Sequence, residues 1–328
     1  TKEGGGHQSN SLRLVDKDNR EFAMRSLKKE ALKFLTHKIK GVSYATSDYE
    51  GTLTEDIVSD FFTTAHPYMQ MVINDLTAQI EVNHSKTELF YIPKQQALGS
   101  YNEKYGDELY FIEQRPSDEQ KDYPGYRRAD PDKEGKIPDF ESTTDMLEKI
   151  KEDESYRVDQ KAYIRARIFD MLIGDWDRHQ DQWRWAEFEV DDDETIFIPI
   201  PRDRDNTFSR FDGIAMPFIR MFSPPVRSWQ TYGPKIKDLE WFNLEGYDID
   251  LTITNKHGVE TWVEEAKFIQ ENLQDNEIDK AFLNLPAEIQ DETTTYIKNS
   301  LKQRLKDLDT YAKEYAEYLN EKVVVRGT

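Results

Sequence analysis

The residues that could do chemistry lie in two short runs. The first reads Gly174-Asp175-Trp176-Asp177-Arg178-His179-Gln180-Asp181-Gln182-Trp183, and the second Pro201-Arg202-Asp203-Arg204-Asp205-Asn206. Carboxylates, an imidazole and amides in this order are the parts that phosphoryl transfer uses. That reaction needs a triphosphate held by its phosphates, one or two Mg²⁺ ions against the developing charge, and a carboxylate beside the attacking hydroxyl. Asp177 is the candidate to orient the hydroxyl and accept its proton. Asp205 or Asp203 can ligate the metal, and Gln182 can add an amide oxygen; Mg²⁺ favours such hard donors. Arg178 either pairs with a nearby Asp or touches the transferred group. His179 either fixes the loop through backbone hydrogen bonds or acts on that group.

Flanking elements must position these residues. Ile164, Ile168, Phe169, Leu172 and Ile173 recur at helical spacing after Asp159, a candidate N-cap, and Gly174 ends the pattern. A buried helix therefore delivers the first run. Trp183 and Trp185 alternate with polar residues, and Thr195 to Ile200 reads as a return strand. That hairpin carries Asp203 and Asp205 back beside Asp177. The acidic run 191–194 at its tip reads as a solvated turn rather than a metal site.

Upstream, Leu12 and Leu14, then Phe22 and Met24, alternate on two strands joined by a turn at 16–19. The return strand offers Arg25 and Lys28, and either cation can meet phosphate. The run Gly4-Gly5-Gly6 is either linker or a loop whose backbone N–H groups, those of Gly5 and Gly6 among them, cradle phosphates. Residues 54–62 read as a helix with Thr54 as N-cap and Glu55 or Asp60 as the acid that could pair with the phosphate-binding cation. Residues 89–92 and 108–113 read as strands. A polar loop follows over 117–139, then a short helix over 145–150 with Thr144 as N-cap. Residues 206–270 are mixed, and 288–319 form one helix with a stripe from Ile297 to Leu319. The arginines of 202–227 either balance nearby acids or meet an acidic substrate.

Composition narrows the class. The 328 residues can bury a large core. The chain holds 64 acidic against 44 basic residues, a net charge of -20. That disfavours nucleic acid and anionic membrane as partners, because both need clustered positive charge. No cysteine is present, which excludes disulfides and Cys-based zinc sites. No apolar run of about 18 residues marks a membrane-inserted segment. The chain starts at Thr1 beside a glycine run, as a piece of a longer protein would.

Asp177-Arg178-His179 with the later Asp205-Asn206 resembles the atypical protein-kinase-like superfamily, which includes phosphoinositide kinases, HipA-type bacterial serine kinases, spore-coat CotH kinases and secretory-pathway casein kinases. Lys2 to Gly6, Ala65 to Tyr68, Phe169 to His179 and Ile200 to Asp205 also resemble a kinase-like segment of large bacterial cell-surface proteins. Those proteins can also carry metallophosphoesterase-like and outer-membrane β-barrel domains. The resemblance implies an α+β, two-lobed fold: a small β-rich lobe over 1–116, an inter-lobe loop over 117–140 and a larger, mainly helical lobe over 141–328. It implies Asp177, Arg178 and His179 as catalytic, and Gly5, Gly6, Arg25, Lys28, Glu55 and Glu113 around ATP. Residues 111–115 would form the hinge. Asp205, Asp203 and Gln182 would hold Mg²⁺ or Mn²⁺. It further implies a protein or cell-surface substrate, no nucleic acid, and an exported parent in the periplasm or at the outer membrane. Two positions depart from the pattern: Gln182 stands where many relatives have Asn, and Arg25 where a lysine is expected. The alternative is a catalytically degenerate kinase-like binding or scaffold module. AMP transfer is open as well. A metal-dependent phosphoesterase fits less well, because none of the six histidines pairs at metal-ligand spacing.

Overall fold

A computed structural model of the chain describes residues 2–3, 9–29, 66–116, 139–191, 194–211 and 227–321. The expected helix at 54–62, the glycine run and nearly all of the inter-lobe loop lie outside these residues. The described chain is α+β and two-lobed, as expected.

The small lobe is an antiparallel sheet. Its strands are β1 (Lys2–Glu3), β2 (Ser9–Val15), β3 (Glu21–Lys29), β4 (Thr87–Ile92) and β5 (Glu108–Gln114), in the order β1-β2-β3-β5-β4. The β2–β3 turn forms because the Asp16 carboxylate accepts from the N–H groups of Asp18 at 2.8 Å and Arg20 at 2.9 Å. Register then sorts the side chains. Arg13 pairs with Ala23, Ala23 with Glu113, and Arg25 with Phe111. Directly opposed residues share a face, so Arg13, Arg25 and Glu113 lie on one side of the sheet. Leu12, Met24 and Tyr110 lie on the other and form a small core with Tyr105. The period-2 pattern thus leaves one face of the sheet charged.

Helix α1 (Gln70–Gln79) was not evident in the sequence reading. Its Val72, Ile73 and Leu76 are buried in the main core. Asn74 of α1 donates to the Thr87 carbonyl at 2.9 Å, which ties the helix to the edge strand β4.

The large lobe opens with β6 (Asp139–Glu141), α2 (Thr143–Glu152), β7 (Tyr156–Val158) and α3 (Gln160–Ile173), followed by the hairpin β8 (Trp183–Asp191) and β9 (Glu194–Pro201). These strands make a second sheet in the order β6-β8-β9-β7. Helix α2 starts earlier than expected. Its N-cap is Ser142, whose hydroxyl accepts from the Asp145 N–H at 3.1 Å, and Thr144 lies inside the helix. The described part of the mixed stretch holds a short helical turn (Leu239–Phe242), helix α4 (Tyr247–Ile253) and most of α5 (Val259–Asn272), and α6 (Asp275–Leu283) follows it. The single C-terminal helix is two, α7 (Glu292–Lys306) and α8 (Leu308–Glu321), broken at Asp307. The break lets both halves of the apolar stripe reach the core, since Ile297, Leu301 and Leu305 are buried as well as Leu308, Ala312, Tyr315 and Leu319.

Every residue of α3 from Tyr163 to Ile173 is buried. Its C-terminal carbonyls are consequently all engaged. The Asp170 carbonyl accepts from the Asp175 N–H, Met171 from Arg304, Leu172 from the Tyr232 hydroxyl and Ile173 from the Phe208 N–H. Gly174 makes the stop at φ 77°, and a Cβ there would meet the Tyr232 ring at 2.6 Å. Gly174→Ala is therefore expected to destabilise the protein by about 1–2 kcal/mol through the left-handed backbone alone, and by more through displacement of Tyr232. Urea unfolding of both proteins measures it, and an unchanged midpoint would refute the packing described.

Candidate active site

The loop after α3 is held from behind by buried charge. Asp170 has no exposed surface, and three guanidinium groups converge on it: Arg204 at 2.9 Å, Arg178 at 3.1 Å and Arg167 at 3.4 Å. Arg178 also lies 3.4 Å from the Asp175 carboxylate and donates to the carbonyls of Arg202 at 2.7 Å and Gln182 at 3.2 Å. Its guanidinium sits over the Trp183 ring. Burial pushes the Asp175 carboxyl well up, Arg178 opposes that shift, and Asp170 adds to it. Not every group finds a directional partner: Asp175 Oδ1, Arg178 Nε and Arg204 Nη1 accept or donate no hydrogen bond. Attraction between opposite charges out of water adds to the hydrogen bonds that Arg204 and Arg167 donate to Asp170.

This arrangement corrects the reading of Arg178 as a catalytic group. It is fully buried and its donors face inward, so it has no surface to offer a substrate. Instead it ties the two runs together, since it binds the Arg202 carbonyl while the Arg202 N–H donates to the Gln182 carbonyl at 2.8 Å.

On the open side stands Asp177, a quarter exposed. Asn206 donates to its Oδ2 at 3.1 Å, and His179 Nε2 lies 3.8 Å from Oδ1. Burial raises the Asp177 pKa above the usual carboxylate range; His179 opposes the shift, and Asp205 and Glu245 add to it. The two aspartates far apart in sequence therefore face one place. Trp176, next to Asp177, packs against Phe211 and Trp229 and steadies the loop.

His179 Nδ1 accepts from the Asp181 N–H at 3.3 Å. In the neutral ring the proton then sits on Nε2, toward Asp177. The nearly buried Gln182 amide nitrogen lies 3.4 Å from that nitrogen.

Arg25 reaches across from β3 to form an ion pair with Asp203, a residue in left-handed backbone at φ 54°. Asp203, with Glu113 and Asp205 behind it, raises the arginine further above its ordinary value against the effect of burial. Glu113, Asp203 and Arg204 also line a small cavity of about 30 Å³ at the lobe junction, with Asn74 and His84. Pairwise interactions thus link Arg25 to Asp203, Glu113 and Asp205, and Asp205 in turn to Asp177 and its neighbour His179. Lys28 belongs to β3, but its side chain, Gly5, Gly6 and Glu55 lie outside the described residues. The paired strands β1 and β2 flank the glycine run.

Sequence reasoning assigned no role to Asn206, Glu245, Asp170 or Asp175. Asn206 follows Asp205 directly and could have been weighed. Glu245 lies too far along the chain to carry any local signal. Glu245 also lines a cavity of about 210 Å³ with Gln180, Thr143, Leu147, Asp248 and Ile249. Among the described residues no three His, Asp or Glu side chains are placed to hold a metal ion by themselves. A Mg²⁺ ion that takes one carboxylate, waters and phosphate oxygens asks for no such cage.

No family model matches the chain, and no curated protein matches it. Among solved structures, the Helicobacter pylori proinflammatory kinase CtkA is similar at 12% identity and a TM-score of 0.44, covering 94% of this chain and 95% of that one. The HipA, HipB and operator DNA complex of Shewanella oneidensis MR-1 is similar at 10% identity and a TM-score of 0.40, covering 98% of this chain and 67% of that one. Likenesses this distant leave the functional reading to the site's own geometry.

Asp170→Ala is expected to cost about 3–5 kcal/mol, because it strands buried guanidinium groups. Chemical denaturation measures it. A loss below about 1 kcal/mol, the scale of a surface pair, would show that the cluster does not hold the loop.

Proposed function

We propose that the chain is an ATP-dependent phosphotransferase of the kinase-like type, acting on a hydroxyl of a protein or cell-surface molecule. The observation that supports it best is the closeness of the two acidic runs: Asn206 donates to Asp177, and the Asp205 charge acts on both Asp177 and Arg25. In this reading Asp177 accepts the proton of the attacking hydroxyl, the hydroxyl oxygen bonds to the γ-phosphorus, and ADP leaves. Asn206 and His179 hold the Asp177 carboxylate in place. Arg25 takes the lysine's part at the phosphates. Asp205, whose charge acts on both Arg25 and Asp177, is the principal metal ligand. Its single carboxylate fits Mg²⁺ or Mn²⁺ shared with phosphate oxygens. The ion would supply charge neutralisation at the phosphates. The acceptor enters from the cavity at Gln180 and Glu245. Export as part of a longer protein belongs to the same proposal.

One observation favours a second reading, a degenerate binding module. Arg25 is already paired with Asp203, and Gln182 with His179, so two groups needed for nucleotide and metal are occupied within the protein.

Thermal unfolding with nucleotide and metal separates the two. ATP with Mg²⁺ is expected to raise Tm, and Asp205→Asn to abolish the rise. No shift with ATP or GTP, in Mg²⁺ or Mn²⁺, would leave only the binding module.

The raised Asp177 pKa gives a second test. A carboxylate whose folded pKa lies above its unfolded value costs stability once ionised, and the cost disappears as pH falls through the folded pKa. Asp177→Asn is therefore expected to raise Tm at neutral pH while removing transfer. Transfer by the native protein is expected to rise with pH through that same pKa. Glu245→Gln removes one repelling charge, so the acidic limb of its kcat/KM profile should move to lower pH. A limb that stays put, or moves upward, would rule out Asp177 as the titrating base.

A further inference from the structure

The chain is strongly acidic, yet four arginines gather where the two sheets meet. Register sets Arg13 level with Glu113 on one face of the small sheet, and Arg115 follows two residues after Glu113. Arg184 lies opposite Ile200, two residues before Arg202, and Arg202 lines the junction cavity with Glu113 and Asp203. Arg13 comes from β2, Arg115 from the residue after β5, Arg184 from β8 and Arg202 from the residue after β9. Both lobes contribute. Their partners are few. Among the described residues Arg115 pairs with Glu21 at 3.1 Å, and Arg184 donates only to the carbonyl of its neighbour Trp183. Among the described residues the Arg13 and Arg202 side chains make no hydrogen bond or ion pair. Burial lowers the pKa of Arg115, and Arg13 and Arg202 lower it further, against the pull of Glu21. Arg184 is lowered in the same way, by burial and then by Arg202, against Asp181 and Asp145. Like charges held together, partly out of water, destabilise a fold unless an anion joins them.

We propose that these four arginines form a second anion site, which takes a phosphate-bearing small molecule across the lobe junction. Guanidinium groups present paired N–H donors that match phosphate oxygens two at a time, and four of them suit two linked phosphate groups. The site is distinct from Arg25, whose charge is met by Asp203. Bound phosphate would bridge β2 and β5 of one lobe to β8 and β9 of the other, and so would favour the closed cleft. The site does not depend on phosphotransfer: a chain with no transferase activity would still bind the anion.

Isothermal calorimetry with inorganic pyrophosphate, at low salt and without divalent metal, tests it. The expected result is one bound pyrophosphate per chain. Arg115→Gln/Arg202→Gln should weaken it about tenfold or more, the size expected when hydrogen bonds to a charged group are lost. Arg25→Gln should leave it within about threefold, and circular dichroism checks the fold of each variant. ADP as a competitor distinguishes sources. Displacement of pyrophosphate assigns the site to nucleotide phosphates, and failure to displace it assigns the site to free polyphosphate; both support the proposal. No pyrophosphate binding overturns it. So does binding that is lost with Arg25→Gln and kept with Arg115→Gln/Arg202→Gln. Binding of adenosine in place of pyrophosphate would also overturn it, because the arginines would then serve as a stacking surface for a base.

Discussion

Asp170 sits inside a helix with no exposed surface, and three arginines from three parts of the chain close on it. A carboxylate in that position is tolerable only with full compensation, because moving an ion out of water costs several kcal/mol after relaxation. The compensation fixes geometry. Arg167 belongs to the same helix, Arg178 to the loop that carries Asp177, and Arg204 to the segment that carries Asp203 and Asp205. One buried charge therefore sets two loops against each other. Arg178 extends the lock, since its remaining donors go to the carbonyls of Gln182 and Arg202.

The open side of these loops has the opposite character. Behind them, positive and negative groups alternate and balance. In front, Asp177, Asp205 and Glu245 repel one another, and the repulsion adds to burial in raising Asp177. Such a concentration of like charge is unfavourable for folding and useful for chemistry. A cation and a proton are what it attracts, and phosphoryl transfer moves both. The frustration is local because the Asp170 cluster behind the loop holds it in place.

The small lobe meets this site with an uncommon surface. One face of its sheet packs on a small core of Leu12, Met24, Tyr105 and Tyr110. The other presents Arg13, Arg25 and Glu113 to the cleft, so the lobe junction is polar. Arg25 with Asp203 closes one end of the cleft. Nearby, Arg13, Arg115, Arg184 and Arg202 have few partners among the described residues.

Much of this was legible in the linear chain, because it depends on local physics. Helical spacing from Ile164 to Ile173, Asp159 as N-cap and Gly174 as stop follow from side-chain periodicity and backbone freedom, which need no distant partner. The β2–β3 and β8–β9 hairpins follow from alternation and turn residues in the same way, and the second hairpin foretold that Asp205 returns to Asp177. What tertiary structure alone decided was the use of each charge. Nothing local separates an arginine that faces water from one sealed against a carboxylate, so Arg178 could be read as catalytic until its neighbours were known. Burial and the positions of distant charges made that assignment, pairing Arg178 with Asp170 and Arg25 with Asp203 and setting Glu245 against Asp177. The broken C-terminal helix has the same origin. Its stripe continues through Asp307 in sequence, and only the shape of the core requires the chain to turn there.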